Sequence, residues 1–498
     1  MLPLTFLRRL STAAKGVELT SSRYPEVVRG PYAELTDENL QAFERIVGKS
    51  HVITDDYEVD AYNTDWLKIF KGGSKCVLKP ANTEEISAIL SYCFEKNLAI
   101  CPQAGNTGLV GGSVPVFDEV ILNISRLNKV LDFDPVSGIL TAEAGCVLET
   151  LDNGLANKGY MMPIDLGAKG SCCIGGNVAT AAGGMRLMRY GSLHAHVLGL
   201  ETVLCDSAGT VLDCLKPLRK DNTGFHLPHL FTGSEGQLGV ITKVAMTCVP
   251  KPTSVNVAFL GLPTFESCRK FLALAKTELA QILSCFEFLD SHSLRCLEEN
   301  LKLTNVLSAP SDFYVLVETA GNDPDYDRAK LDAFLEKTMT LGLVMDGAVA
   351  ADLDQARYMW SLRERCAEAL VVDGYTYKQD ISLHFKDFYR VVDVIRERLG
   401  PLPKRVIAYG HLGDGNLHLN LTTAEYSPEL VQKLYPFLFE WVSDHGGSIS
   451  AEHGLGFAKR KYAHFSNKLP ALQMMSRIKK LFDPKLLLNP YKTIPPVL

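Results

Sequence analysis

Three glycine-rich segments, each following a short apolar run, constrain this chain more than any other feature. They read PQAGNTGLVGGS over residues 102–113, AKGSCCIGGNVATAAGG over 168–184 and FTGSEGQLGVIT over 231–242. Glycine lets a backbone come close to a ligand and turn its N–H groups toward it, an arrangement that suits a pyrophosphate. The chain has no G-x-G-x-x-G, which argues against a nicotinamide-binding Rossmann unit. Gly48-Lys49-Ser50 ends like a Walker loop, but Phe43 stands where that loop needs its first glycine. Any one of the three segments could be a flexible turn. Three of them after three strands suggest one extended planar cofactor wrapped by backbone, and FAD fits better than a mononucleotide.

With 498 residues the chain is too long for one core, so two or three domains are expected. From about Lys75 short strands alternate with helices, the pattern of an α/β domain that runs to about Pro250. Strands are predicted at 76–78, 98–101, 120–124 and 139–143, and helices at 83–95 and 147–158. From about Ser254 longer helices, at 264–279, 326–341 and 385–399, alternate with strands such as 313–318 and 406–409. That is an α+β second domain. From about Leu430 the chain reads as mostly helical and ends in DPKLLLNPYK.

The first residues, MLPLTFLRRLSTAAKG, contain Arg8, Arg9 and Lys15 and no acid before Glu18. This is the composition of a mitochondrial transit peptide, and residues 1–20 are set apart from the fold on that ground. A net charge of −6 argues against nucleic-acid binding. No apolar run reaches the length needed to span a bilayer. Thirteen scattered cysteines read as reduced, buried thiols rather than a disulfide framework.

The densest chemistry lies in VIAYGHLGDGNLHLN, residues 406–420. His411 and His418 are seven apart, which two helical turns would align, but Gly410, Gly413 and Gly415 disfavour a helix. A strand–turn–strand places the histidines on either side of the turn, with His418 and Asn420 on one face. Glu452 and His453 follow in SAEHGLG. Two imidazoles and a carboxylate could hold Zn²⁺ or Mn²⁺ with positions open to substrate, or could be core histidines beside a loop.

Together, PQAGNTGLVGGS, GGNVATAAGG, GSEGQLGVIT and DPKLLLNPYK resemble the FAD-linked oxidases of the vanillyl-alcohol oxidase and p-cresol methylhydroxylase superfamily. The resemblance implies an α+β fold. It divides the chain into a two-part FAD-binding domain (residues 30–253), a substrate-binding cap (254–429) and a helical segment returning to the flavin (430–498). It implies FAD contacts from Gln103, Gly105, Asn106, Thr107, Gly108, Leu109, Ser113, Gly167, Gly175, Gly176, Asn177, Thr180, Gly191, Ile241 and Asn489. The loop 105–113 holds no histidine, so non-covalent FAD is expected. LRERCAEAL, DGYTYKQD, YGHLGDGNLHLN and SAEHGLGFAKR are similar to a family of mitochondrial FAD-linked dehydrogenases acting on D-2-hydroxyglutarate. By that resemblance His411, His418 and Glu452 would bind a divalent metal, zinc foremost, and His453 would be the catalytic base. Arg363, Lys378 and Asn420 would bind the substrate, and 2-oxoglutarate would be the product. Where that family often has a threonine after R-E-R, this chain has Ala367, which weakens the expected preference for a diacid over D-lactate. The resemblance further implies the mitochondrial matrix and electron transfer flavoprotein as electron acceptor, and leaves a homodimer open. An oxidase on the same scaffold and a flavin-binding protein without turnover remain the rival readings.

Overall fold

The computed structural model of the protein describes residues 17–495. Most of the expected leader lies outside them. Thr20, at its end, is buried and exchanges hydrogen bonds with Lys71, its N–H reaching Lys71 O at 2.8 Å and its hydroxyl accepting Lys71 N–H at 2.9 Å.

The first sheet is small. It contains β1 (Val52–Ile53), β2 (Val77–Leu78), β3 (Ile100–Gln103) and β4 (Val120–Asn123) in the order β1-β2-β4-β3. β4 runs parallel to both β2 and β3, so each crossover needs a long connection. The helix Thr83–Lys96 supplies the one between β2 and β3. Its cap is Asn82, whose side chain accepts Glu85 N–H, one residue before the expected start.

A second, antiparallel sheet follows, with β5 (Val130–Asp134), β6 (Ile139–Glu143), β8 (Val197–Val203), β9 (Val211–Cys214) and β10 (Val240–Thr247) in the order β5-β6-β10-β8-β9. β7 (Tyr160–Met161) pairs separately with β11 (Val249–Pro250). One apolar core joins the two sheets, with Leu78, Ile100 and Leu122 of the first packed in the same cluster as Leu140, Leu200 and Val244 of the second.

The third sheet has seven strands, all antiparallel. β12 (Ser254–Leu262), β13 (Leu283–Asp290), β14 (Phe313–Gly321), β15 (Asp346–Val349), β16 (Tyr375–Ser382), β17 (Arg405–His411) and β18 (Asn416–Thr423) lie in the order β15-β12-β14-β13-β17-β18-β16. The pleat of β18 decides what each face carries. Leu417, Leu419 and Leu421 enter a core with Phe271, Val391, Ile395 and Leu438 from the covering helices. Asn416, His418 and Asn420 therefore face the other way. The helix expected at 385–399 starts at Arg390, and in the turn before it Phe388 and Tyr389 stack on Phe265.

The end of the chain returns to the first sheet. Ile100 N–H donates to Leu487 O at 2.8 Å and Asn489 N–H to Ile100 O at 2.7 Å, beside a parallel bridge from Ile100 to Leu488. Residues 487–489 thus extend that sheet beyond its edge strand β3. No helix among the described residues is long and apolar enough to cross a membrane. All thirteen cysteines are free thiols and twelve are buried.

Candidate active site

The three glycine-rich segments meet around one cavity of about 630 Å³, a volume ordinary for a small-molecule site. The loop after β3 is fastened on both sides. Gln103 Nε2 donates to Tyr62 O and Ser113 O, and its Oε1 accepts Asn123 Nδ2. Asn106, at φ 51°, donates to Thr64 O and accepts the Ser113 hydroxyl. Gly105 crosses the second segment so closely that a Cβ there would sit 2.1 Å from Ser171 O. Gly108 and Gly167 differ. Both line the cavity, and a Cβ at either would meet nothing closer than the Ser113 hydroxyl, 3.8 Å from Gly108. Backbone thus stays out of a space that a planar cofactor could fill.

The far end of the same cavity is lined by Lys378, Glu452 and His453. Strand register builds that end. β17 pairs Tyr409 with His418, and β16 pairs Asp380 with His418 and Lys378 with Asn420. Loop 450–456 carries Glu452 and His453, and mutual backbone hydrogen bonds between Ser382 and Ser448 anchor the chain entering it. Glu452 Oε1 lies 3.7 Å from Nε2 of each of His411, His418 and His453. Its Oε2 accepts the N–H of Gly184, from the second glycine-rich segment, at 2.8 Å. One carboxylate therefore touches both the cofactor side and the imidazole side of the site.

Ligand-type atoms of Asp380, His418, Glu452 and His453 all lie within 4.8 Å of one another. Imidazole nitrogens around a carboxylate oxygen are a donor set for a divalent ion. Two ligands each ~2.1 Å from one tetrahedral ion sit about 3.4 Å apart, close to the 3.7 Å spacing here. His411 meets Glu452 at the same distance as His418, and its Nδ1 lies 2.8 Å from Glu287 Oε1. A carboxylate behind a ring in this way fixes which nitrogen faces the centre.

The electrostatics follow from burial and these contacts. Burial opposes charge on Glu452, but His411, His453 and His418 outweigh it and hold the carboxyl at about 2. Burial would lower His411, yet Glu287 and Glu452 raise it to about 10. His418, buried and beside cationic His411, falls to about 3. Burial lowers Lys378, which has no hydrogen-bonded or ion-paired partner among the described residues.

Of the cofactor residues expected from sequence, all but Gly191 and Asn489 line the cavity. Gly191 instead closes the short helix Leu187–Tyr190 at φ 85°. Asn489 acts behind the wall, donating to Gly112 O and Glu235 O. Arg363 lies off the cavity lining. Its Nε sits 2.7 Å from Glu287 Oε2 as a buried ion pair, out of line for a hydrogen bond. Its guanidinium covers the Tyr409 ring at 5.0 Å. Asn420 also lies off the cavity lining, buried and paired with Lys378 across the strands, and its Nδ2 makes no hydrogen bond. Ala367 lines the cavity.

Sequence reading missed Asp380, Glu287 and Glu235. Asp380 stands two residues after Lys378, so strand alternation could have placed it on the same face. Glu287 lies in an apolar strand with no motif around it. Glu235 accepts N–H from Leu455 at 2.9 Å and Gly456 at 2.7 Å and so ties the third glycine-rich segment to the loop of Glu452.

Residues 74–215 match the FAD binding domain family, and residues 251–493 match the C-terminal domain family of FAD linked oxidases. The mitochondrial D-2-hydroxyglutarate dehydrogenase of Bos taurus is 51% identical over 485 residues, covering 97% of this chain and 88% of its own. The chain belongs to the D-2-hydroxyglutarate dehydrogenase family. The mitochondrial member of the D-2-hydroxyglutarate dehydrogenase family from Arabidopsis thaliana is 51% identical over 477 residues, 95% of this chain and 85% of its own. Its α+β fold is that of p-cresol methylhydroxylase, whose substrate-bound crystal structure superposes with a TM-score of 0.74 at 14% identity over 92% of this chain and 96% of that one. As a D-2-hydroxyglutarate dehydrogenase family member with both FAD-linked domains, the protein is an FAD-dependent oxidoreductase.

Proposed function

We propose that the protein oxidises D-2-hydroxyglutarate to 2-oxoglutarate. One observation carries this reading: Lys378, Glu452 and His453 line the same cavity as the glycine-rich cofactor loops. A hydroxy acid held there would have a cation, a carboxylate and an imidazole beside it. FAD, bound without a covalent tether, supplies the acceptor for the hydride that leaves the alpha carbon. His411, His418 and Glu452 would hold a divalent ion, for which we propose zinc, and such an ion acidifies a hydroxyl that it touches.

The chain's own residues do the rest. Lys378 binds a substrate carboxylate as a point charge without a competing partner. Asn420 Nδ2 offers it a hydrogen bond. Arg363, read from sequence as a carboxylate anchor, would act on the substrate through Glu287 and Tyr409, which stand between it and the cavity. His453 takes the hydroxyl proton at Nε2; among the three histidines its side chain is the most exposed, at 22% against 12% and 11%. Hydride and proton leave the same carbon–oxygen unit, and the 2-oxo acid remains.

A second reading, D-lactate or another D-2-hydroxy monoacid, draws on Ala367, which lines the cavity without a hydroxyl. The mitochondrial relatives support a mitochondrial protein, and we propose the matrix as its compartment and electron transfer flavoprotein as its acceptor. We propose residues 1–20 as a leader segment, at whose end Thr20 packs into the body. We assign residues 30–253 to FAD, 254–429 to substrate and 430–498 to closing the site.

An anaerobic absorbance titration tests the function. D-2-hydroxyglutarate should bleach the flavin band at lower concentration than its L-isomer or D-lactate. Bleaching by D-lactate alone would move the substrate to the second reading, and a protein with no flavin band would sink the proposal.

A further inference from the structure

Asp380 is fully buried in the middle of β16, and both of its oxygens are occupied. Oδ2 accepts the backbone N–H of Ala451 at 3.1 Å, Glu452 at 3.0 Å and His453 at 2.9 Å. The Ser450 hydroxyl reaches the same atom at 3.5 Å. Oδ1 accepts Asn416 Nδ2 at 2.8 Å. Three successive amides converging on one carboxylate oxygen form an anion nest, and charge-assisted bonds of this kind are the strong ones.

Two imidazoles face the same carboxylate. His418 Nδ1 lies 3.8 Å from Oδ1 and His453 Nδ1 lies 3.7 Å from Oδ2. These contacts are about 0.5 Å beyond hydrogen-bond range. The opposite nitrogens, Nε2 of both rings, each lie 3.7 Å from Glu452 Oε1. The rings stack nearly parallel, with 12° between their planes. Asp380 is thus behind both rings and Glu452 in front of both. Glu287 stands in the same relation to His411.

A metal ligand must offer a lone pair to the ion. Asp380 Oδ2 is engaged by three amides and Oδ1 by the Asn416 amide, and both oxygens stand on the Nδ1 side of the rings, away from the Nε2 atoms and Glu452 that would face an ion. We infer that Asp380 is a positioning residue, not a ligand, which clamps residues 451–453 and keeps the rings of His418 and His453 protonated at Nδ1. A neutral imidazole with its proton on Nδ1 presents the Nε2 lone pair to whatever stands in front. For His418 that is the cation, and for His453 the hydroxyl proton. One buried carboxylate therefore prepares two rings for two different tasks. The inference rests on the metal and base roles proposed above.

The test is ¹⁵N-histidine NMR of the FAD-bound protein, before and after zinc is added, with His418→Gln and His453→Gln to assign the two rings. Both rings should carry the proton on Nδ1 before zinc is added. Asp380→Asn should scatter both rings between tautomers. It should also weaken zinc, measured by competition with a chromophoric chelator, about 10- to 100-fold, with flavin absorbance unchanged. Nε2–H rings in the unmodified protein would overturn the inference, and that measurement stands even if the variant fails to fold. Equal zinc affinity in Asp380→Asn would overturn it too. So would a cobalt-substituted variant whose visible bands report a lost ligand, because Asp380 would then bind the ion. If the unmodified protein binds no zinc, the metal reading alone falls, and the tautomers still decide what Asp380 does.

Discussion

Glu287 holds Nδ1 of His411 at 2.8 Å and so turns the other nitrogen of that ring toward Glu452. The second oxygen of Glu287 lies 2.7 Å from Arg363, so a buried cation stabilises the acid that orients the ring. The sequence LRERCAEAL therefore reaches the site through an intermediary.

His453→Ala should lower kcat by about 10²- to 10⁴-fold while FAD stays bound. Steady-state kinetics with a flavin absorbance check measures it. Near-normal turnover would remove His453 from proton transfer.

Prolonged chelation should abolish turnover and leave the flavin spectrum in place, because the imidazole cluster meets the cavity of the glycine-rich loops at its far end, through Glu452 and His453. Zinc should restore the rate. Full activity in protein shown by elemental analysis to be metal-free would end the reading of His411, His418 and Glu452 as ligands.

Lys378→Met keeps length and removes the charge. Losing a hydrogen bond to a charged group costs about 1.5–3 kcal/mol, so KM for the acid should rise about 10- to 100-fold with a smaller change in kcat. An unchanged KM would show that the carboxylates are held elsewhere.

Two glycines on the cofactor side should fail in opposite ways. Gly105→Ala places a Cβ 2.1 Å from Ser171 O, so the FAD-free protein should melt lower. At Gly108, a cavity-lining residue, a Cβ would meet nothing closer than the Ser113 hydroxyl at 3.8 Å, so for Gly108→Val melting of the FAD-free protein should hold while FAD affinity drops. Thermal scans with and without FAD check both. Unimpaired FAD binding by Gly108→Val would place the cofactor away from this loop.

Asp373 gives a pH signature far from the chemistry. Burial opposes its ionisation, but hydrogen bonds from Lys404, Asn300 and Arg405 outweigh that and lower its pKa. A folded pKa below the unfolded value of about 3.9 means stability that is present above that value and lost as pH falls through the folded one. Asp373→Asn should cost on the order of 1 kcal/mol near neutrality, since Lys404 loses its counter-charge while half exposed and Arg405 keeps Glu299. The gap to the unmodified protein should close below about pH 4. Melting curves from pH 7 to 3 would show it, and a gap constant with pH would refute the charge argument.

The parts legible in sequence are those whose physics is local. Gly410, Gly413 and Gly415 rule out a helix, and alternation then separates Leu417, Leu419 and Leu421 from His418 and Asn420, as β17 and β18 show. The three glycine segments were readable as one cavity because a planar ligand requires the same backbone property of each. β8 and β10 were harder, being buried nearly throughout, so their residues do not alternate. Asp380 and Glu287 escaped for another reason. Their partners, His453 and His411, lie 73 and 124 residues away, and no local pattern encodes that meeting.

The strand that residues 487–489 add beside Ile100 has a consequence for how the protein is made. A ribosome releases the glycine-rich half of the chain long before it delivers those residues. Domains usually fold as they emerge, N-terminal first. Here the first sheet must wait with an uncovered edge until residues 487–489 have been made. The nascent protein is therefore exposed to strand-pairing errors until then, and chaperone demand should fall sharply once Asn489 clears the exit tunnel.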